Sequence, residues 1–368
     1  MNSSVGLYIH VPFCNSKCPY CDFYSINLYK DALNAYVDKI CSELLYYNNM
    51  VGKEIDTIYF GGGTPSLLKT EHFEEILGVI YKFFNVKKET EITLEVNPTT
   101  RNNLDFIGLR TLGINRLSIG LQSANDNELK KLGRRHTVSD AENTIRLAQS
   151  KGFKNISLDL MIAIPGQTKE SLLRSIKFCC EINIQHVSSY LLKIEEGTEF
   201  YKNRNTLKLK DEDEQAELYL LLCETLKSYG FNHYEISNFS KPGYQSAHNL
   251  KYWNANEYIG IGPSAHSFLN GTRFYYKRDL KSFFNTPKVI YDGKGGDEQE
   301  YSMLRLRLSE GLKNHIYKER FDHGIPSQYF KNAKFYEQYG LVRCTEDSIS
   351  LTDKGFLVSN KLIGEIIQ

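Results

Sequence analysis

Six short apolar runs, each followed by a segment of helical periodicity, constrain the fold of this chain more than any other feature. They are GLYIHV (6–11), IDTIYF (55–60), EITLEV (91–96), RLSIGL (116–121), ISLDLMI (156–162) and HVSSYLL (186–192). All are rich in Ile, Val, Tyr and Leu, and several end at Gly, Pro, Asn or Gln, where a strand should stop. The segments between them, such as Lys30–Asn48, Thr70–Phe84, Asn103–Leu112, Val138–Ser150 and Thr168–Glu181, repeat apolar residues at helical spacing. Such alternation calls for a parallel sheet covered by helices. Eight units closed into a barrel need about 250 residues. Six units predict an open, partial (β/α)6 barrel of the α/β class. In such folds the chemistry sits at the C-terminal strand ends. Pro12–Cys14, Gly61–Thr64, Asn97–Pro98, Gln122–Ser123, Pro165–Gly166 and Lys193–Glu195 fall there. They suit a shared ligand-binding rim, although each alone also reads as an ordinary turn.

The remainder changes character. Asp211–Tyr229 reads as one amphipathic helix with an acidic first turn. Residues 231–270 read as irregular, and DGKGGDEQE (292–300) as a linker. The expected units are a barrel over 1–210, a barrel extension over 211–296 and a C-terminal domain over 297–368. The last shows helices, a hairpin around VRCTEDSISLT (342–352) and a closing helix, an α+β pattern of winged-helix type. From Asp297 onward there are ten Lys and Arg against eleven Asp and Glu, a net charge of −1. A DNA reader needs a positive footprint, so nucleic acid is not an expected partner. The whole chain carries a formal charge of +1. No apolar run reaches the roughly 18 residues of a membrane span, and no secretory signal opens the chain. A cytoplasmic, reducing location is expected, where clustered cysteines act as ligands rather than disulfides.

Three of the eight cysteines fall in CNSKCPYC, Cys14 to Cys21, directly after the first strand. Structural zinc normally takes four ligands in two separated pairs. A [4Fe–4S] cube normally takes four thiolates, so three leave one iron open to a substrate or cofactor. The count of three favours such a cluster, with zinc and fortuitous spacing as alternatives. Cys41, Cys179, Cys180, Cys223 and Cys344 read as small buried apolar residues.

The C-x3-C-x2-C loop after the first strand of a partial barrel resembles the radical S-adenosylmethionine (SAM) superfamily. YIHVPFCNSKCPYCDF, YFGGGTPS, LEVNP, RLSIGLQS, LGRRH, LDLMIAIPGQT and IGIGPSAHS resemble, in order, the oxygen-independent coproporphyrinogen III oxidase family. HNLKYW (248–253) matches its HemW-type haem-chaperone branch. The resemblance implies that Cys14, Cys18 and Cys21 hold a [4Fe–4S] cluster whose open iron takes the amino and carboxylate groups of SAM. It places Gly62, Gly63 and Thr64 on the methionine part of SAM, Glu95 on its ribose, Gln122 nearby and Arg134 on its carboxylate. The choice of Arg134 over Arg135 rests on the motif alone. Asp159, flanked by apolar residues, needs a partner if buried, and a ligand or network role is expected for it. Tyr8 and Tyr20 flank the cluster and are expected to pack on it or on the adenine. The chaperone branch further implies haem, with His248 as an axial ligand, Tyr252 and Trp253 covering the porphyrin, and His266 as a second candidate ligand. Two departures point away from the oxidases. Phe23 stands where they carry a further Cys, and only thirteen residues precede Cys14. The resulting expectation is a haem chaperone that delivers to an acceptor protein, for which a respiratory enzyme is a candidate, with any membrane association made only through that partner. The alternative is a radical SAM oxidase acting on coproporphyrinogen III or another tetrapyrrole.

Overall fold

The expected parallel strands lie side by side in chain order in the computed structural model of the protein, which describes residues 4–99 and 104–368. β1 (Ser4–Val11) is followed by two short strands, β2 (Phe13–Cys14) and β3 (Ile26–Asn27), which pair only with each other. Then come β4 (Glu54–Gly62), β5 (Val86–Val96), β6 (Arg116–Gln122), β7 (Ile156–Ile162) and β8 (His186–Leu191). β1 and β4 to β8 pair in parallel, each with the next. The connecting helices are α1 (Ala32–Val51), α2 (Thr70–Phe83), α3 (Phe106–Thr111), α4 (Asp126–Lys131), α5 (Val138–Ser150) and α6 (Lys169–Glu181). Asn103, where the sequence starts the third helix, lies outside the described residues. β1 and β6 are buried along nearly their whole length, as expected for strands covered on both faces. Capping boxes start α5 at Thr137 and α6 at Thr168, satisfying free N–H groups at those termini.

Beyond α7 (Glu199–Lys202) and α8 (Glu212–Ser228), the chain departs from the sequence expectation. Residues 231–270 are not irregular: they return to the same sheet. β9 (Asn232–Glu235) and β10 (Asn238–Ser240) extend it antiparallel beyond β8. After α9 (Ala247–Trp253), β11 (Tyr258–Ile261) pairs in parallel with β1. β12 (His266–Leu269), β13 (Thr272–Tyr276) and, past α10 (Leu280–Asn285), β14 (Val289–Lys294) follow antiparallel. The sheet thus has twelve strands among the described residues, seven of them parallel rather than six. The added strands are three to six residues long, too short to show an alternating pattern. The Gly-rich 292–300 stretch is not a linker either. It completes β14, and Asp297 then caps α11 (Glu298–Arg305) by accepting from the Glu300 N–H.

The C-terminal segment forms a small three-stranded sheet of β15 (Leu312–Lys313), β17 (Ser348–Leu351) and β16 (Val342–Cys344), in that order. α12 (Asn314–Phe321), α13 (Ser327–Glu337), α14 (Asp353–Leu357) and α15 (Ser359–Ile366) pack around it. The arrangement is winged-helix-like, with two short closing helices instead of one. Among the described residues no helix is long and apolar enough to cross a membrane.

Candidate cofactor site

A cavity of about 480 Å3 opens at the C-terminal ends of the parallel strands, within the size range of small-molecule sites. One wall is the cysteine loop. The β2–β3 pair clamps its ends, with Ile26 N–H donating to Pro12 O (2.8 Å) and Leu28 N–H to Cys14 O (3.0 Å). Cys21 N–H closes a turn onto Cys18 O (3.0 Å), and Pro19 O accepts from Phe200 N–H (2.9 Å) on α7. The loop is therefore tied to both sides of the mouth. All three thiols are partly exposed and line the cavity. Thr64 Oγ1 donates to Cys14 Sγ (3.3 Å) and Arg134 Nη1 to Cys18 Sγ (3.6 Å). Both sulfurs thus accept a hydrogen bond from the cavity wall. The three sulfurs are not all within 4.8 Å of one another, the closeness one ion would need. They suit a cluster in which separate irons each take one thiolate. Of the neighbouring pair Arg134 and Arg135, Arg134 faces the cavity.

Against the base of the loop, β4 ends in a glycine turn. Gly62 has φ +115°, and a Cβ there would stand 2.7 Å from the His10 ring. Gly63 N–H donates to Val11 O (2.8 Å), and a Cβ there would lie 2.7 Å from Phe13 O. Only glycine lets this backbone lie against the cysteine-bearing strand. Glu95, near the end of β5, accepts from Tyr59 O–H (2.9 Å) and Gly62 N–H (3.1 Å). Burial and the nearby Asp159 push its carboxyl up to about 7. Burial also lifts Asp159 to about 6, against the pull of the Ser118 hydroxyl that donates to it at 3.1 Å. Gln122 closes β6 with φ +66°, and Arg134 Nη2 donates to Gly120 O (3.1 Å). Tyr20 completes this group, its ring 6.2 Å from that of Phe200.

Other expected site residues lie elsewhere. Tyr8 is not in the cavity wall: its hydroxyl shares a hydrogen bond with His10 Nδ1 (3.0 Å) and its ring stacks on His248. The HNLKYW segment forms α9, which plugs the N-terminal end of the barrel. Glu91 on β5 accepts from Ala247 and His248 N–H (both 3.1 Å), and Lys251 pairs with Asp56 (2.7 Å). His248 is fully buried, with Nδ1 bonded to Thr57 Oγ1 and Nε2 to Tyr252 O–H, both at 2.8 Å. Neither nitrogen is free, so the expectation of an axial haem ligand is not met in this conformation. Tyr252 is committed to the same network. Trp253 is half-buried under Arg307, whose guanidinium carbon lies 5.9 Å from the ring centre. His266 is exposed, its ring stacked 4.9 Å from Tyr275.

The sequence reading missed Tyr59, Arg116, Ser118, Ser188 and Tyr190, all in the cavity wall. A signal was present: Arg116, Ser118, Gly120 and Gln122 are two apart, as are Ser188 and Tyr190, and strand residues two apart share a face.

The profile of the radical SAM superfamily matches residues 8–179, and that of the HemN C-terminal domain residues 300–358. The heme chaperone HemW of Lactococcus lactis subsp. lactis is 32% identical, with 98% of this chain and 96% of that protein covered. HemW of Bacillus subtilis is 31% identical (98% and 98% covered), and that of Escherichia coli 32% (98% and 97%). The solved structure of coproporphyrinogen III oxidase (HemN) from Escherichia coli superposes with a TM-score of 0.84 at 20% identity, covering 100% of this chain and 90% of that one. That likeness is one of fold.

Proposed function

Since this chain belongs to the radical SAM family, in its HemN-like group and beside full-length relatives named heme chaperone HemW, we propose that it is a cytoplasmic haem chaperone that carries a [4Fe–4S] cluster with SAM, binds haem and hands it to an acceptor protein. The observation that carries the cofactor part is one cavity in which three cysteines of a short loop face a glycine turn and a strand-end carboxylate. In this reading Cys14, Cys18 and Cys21 hold the cluster, which when bound with SAM supplies an open iron and one-electron chemistry. Gly62 and Gly63 let backbone approach the methionine end of SAM, beside Thr64. Arg134 offers a planar guanidinium to its carboxylate. Glu95, when ionised, has lone pairs left for a ribose hydroxyl. Gln122, Asp159 and Tyr20 complete the walls.

For haem, His266 is the accessible imidazole of the two that the sequence offers, and the exposed Phe23 at the mouth adds apolar surface. Residues 297–368 are read as a docking module rather than a DNA reader. The acceptor is a protein, with a respiratory enzyme as the candidate class. The test is anaerobic reconstitution followed by two assays. Haem titration is expected to give a Soret band that weakens in His266→Ala, and the bound haem is expected to pass to an apo-haemoprotein. Incubation with coproporphyrinogen III, SAM and reductant is expected to yield no stoichiometric protoporphyrinogen. Its formation would establish the oxidase reading instead.

A further inference from the structure

Arg116 is the first residue of β6 and lines the inner end of the cavity, yet it is 1% exposed. Its Nε has no hydrogen-bond partner among the described residues. A buried guanidinium cannot shed its charge and is costly unless that charge acts on something. The strands on either side of β6 each place a carboxylate in the same cavity: Glu95 on β5 and Asp159 on β7. Two carboxylates sharing a dry site repel, and one of them then tends to keep its proton.

We propose that Arg116 is a positioning residue of the cofactor site, the fixed cation that keeps Glu95 ionised beside Asp159 and so able to accept a ribose hydroxyl. The proposal rests on the reading of Glu95 as the ribose acceptor. Each Glu95 oxygen already accepts one hydrogen bond, from Tyr59 or from Gly62. Protonation would turn one oxygen into a donor and remove the remaining acceptor capacity. The other ionisable groups facing the pair do not substitute for Arg116. Tyr8, Tyr59 and Tyr252 are phenols that burial holds neutral, and Tyr190, exposed at the cavity rim, carries no positive charge in either form. Arg134, engaged at the mouth with Cys18 and Gly120, pulls on Asp159, which favours its charge and does not relieve Glu95. Arg116 pulls both Glu95 and Asp159 downward, against the burial that raises them.

The experiment is calorimetric SAM titration of the cluster-loaded full chain across about pH 6 to 9. Wild-type affinity is expected to fall as pH drops through about 7. Arg116→Gln is expected to move that midpoint up by about one unit, making binding about fivefold weaker at neutral pH and about tenfold weaker toward pH 6, while leaving it near wild type at the alkaline end. Arg116→Lys, which keeps the charge, is expected to restore the profile. Asp159→Asn, which removes the competing charge, is expected to move the midpoint down, and it carries the test alone if Arg116→Gln does not fold. Uniform weakening of Arg116→Gln at every pH would mark a merely structural role and overturn the proposal, as would an unmoved midpoint in Asp159→Asn. Unchanged SAM binding by Glu95→Gln would instead refute the ribose reading of Glu95. A pH profile that Glu95→Gln abolishes and Arg116→Gln leaves in place refutes only the Arg116 role.

Discussion

Gly62 and Gly63 are adjacent but constrained differently, and the difference can be measured. Gly62→Ala would force a Cβ onto a residue at φ +115° and against the His10 side chain, at about 1–3 kcal/mol of strain. Gly63→Ala would press a Cβ onto the Phe13 carbonyl, which lies on the strand that carries Cys14. Gly62→Ala is expected to weaken SAM binding while iron content stays near wild type. Gly63→Ala is expected to lower iron content as well, so iron assay and SAM titration separate the two. Cys21→Ala is expected to abolish the visible Fe–S absorption, and full iron with unchanged SAM affinity would refute the three-thiolate site. His248 behaves as a core residue: burial, with the nearby Lys251 and Arg116 charges, pulls its ring down to about 3, so it stays neutral. His248→Ala is expected to cost about 2–5 kcal/mol in denaturant unfolding, with the haem Soret band unchanged. The cysteines were legible because their ligand pattern is contained in one short loop. The role of His248 was not, because its partner Thr57 is 191 residues away.

At the scale of elements, α9 shows a helix inside a stretch, 231–270, that reads as irregular in the sequence. Its N-terminus is held by Glu91 from β5, and its inner face by the Lys251–Asp56 pair and the His248–Thr57 bond. The helix closes the N-terminal end of the barrel, where its Asn249 forms part of the cavity wall. Asp56→Asn would leave the buried Lys251 ammonium unpaired and is expected to destabilise the protein by about 3 kcal/mol. Adding Lys251→Met is expected to recover much of that loss, and urea denaturation of the two variants checks both statements. The strands β9 to β14 escaped sequence reading for a related reason. They are short, and what makes them strands is pairing with β1 and β8, not their own periodicity. The long β1 and β4 to β8 were legible because they are continuous apolar runs bounded by turn residues.

Across the whole molecule, the C-terminal module is seated on the barrel by polar contacts. His233 Nδ1 on β9 meets Asp353 Oδ1 on α14 at 2.8 Å, and Arg320 Nη2 donates to Ala255 O at 3.0 Å. Trp253 belongs to this seam through Arg307. Cys223 lies within ligand distance of His233 and Asp353. The His233 ring is already bonded to Asp353 and faces Tyr219 O–H at 3.4 Å, and burial holds the Cys223 thiol protonated, so the trio reads as packing. The His233 bond holds the Asp353 carboxyl below its usual range. A carboxyl depressed in the folded state stabilises at pH above its unfolded value near 3.9, and that contribution is lost as pH falls through the folded value. Asp353→Asn is therefore expected to speed hydrogen exchange in residues 297–368 at neutral pH while SAM affinity is kept. Coupled loss of SAM binding would show that the module supports the cavity directly. What the sequence determined by itself was local: strand–helix alternation, and a cysteine loop whose members lie within eight positions. Only the tertiary structure decided which side chains share the inside of the barrel, placing Arg116, Glu95 and Asp159 in one cavity and turning HNLKYW into a plug. The reason is physical: periodicity and loop spacing act over a few residues, whereas strand register and sheet closure join residues tens of positions apart, and in the case of His248 and Thr57 191 apart.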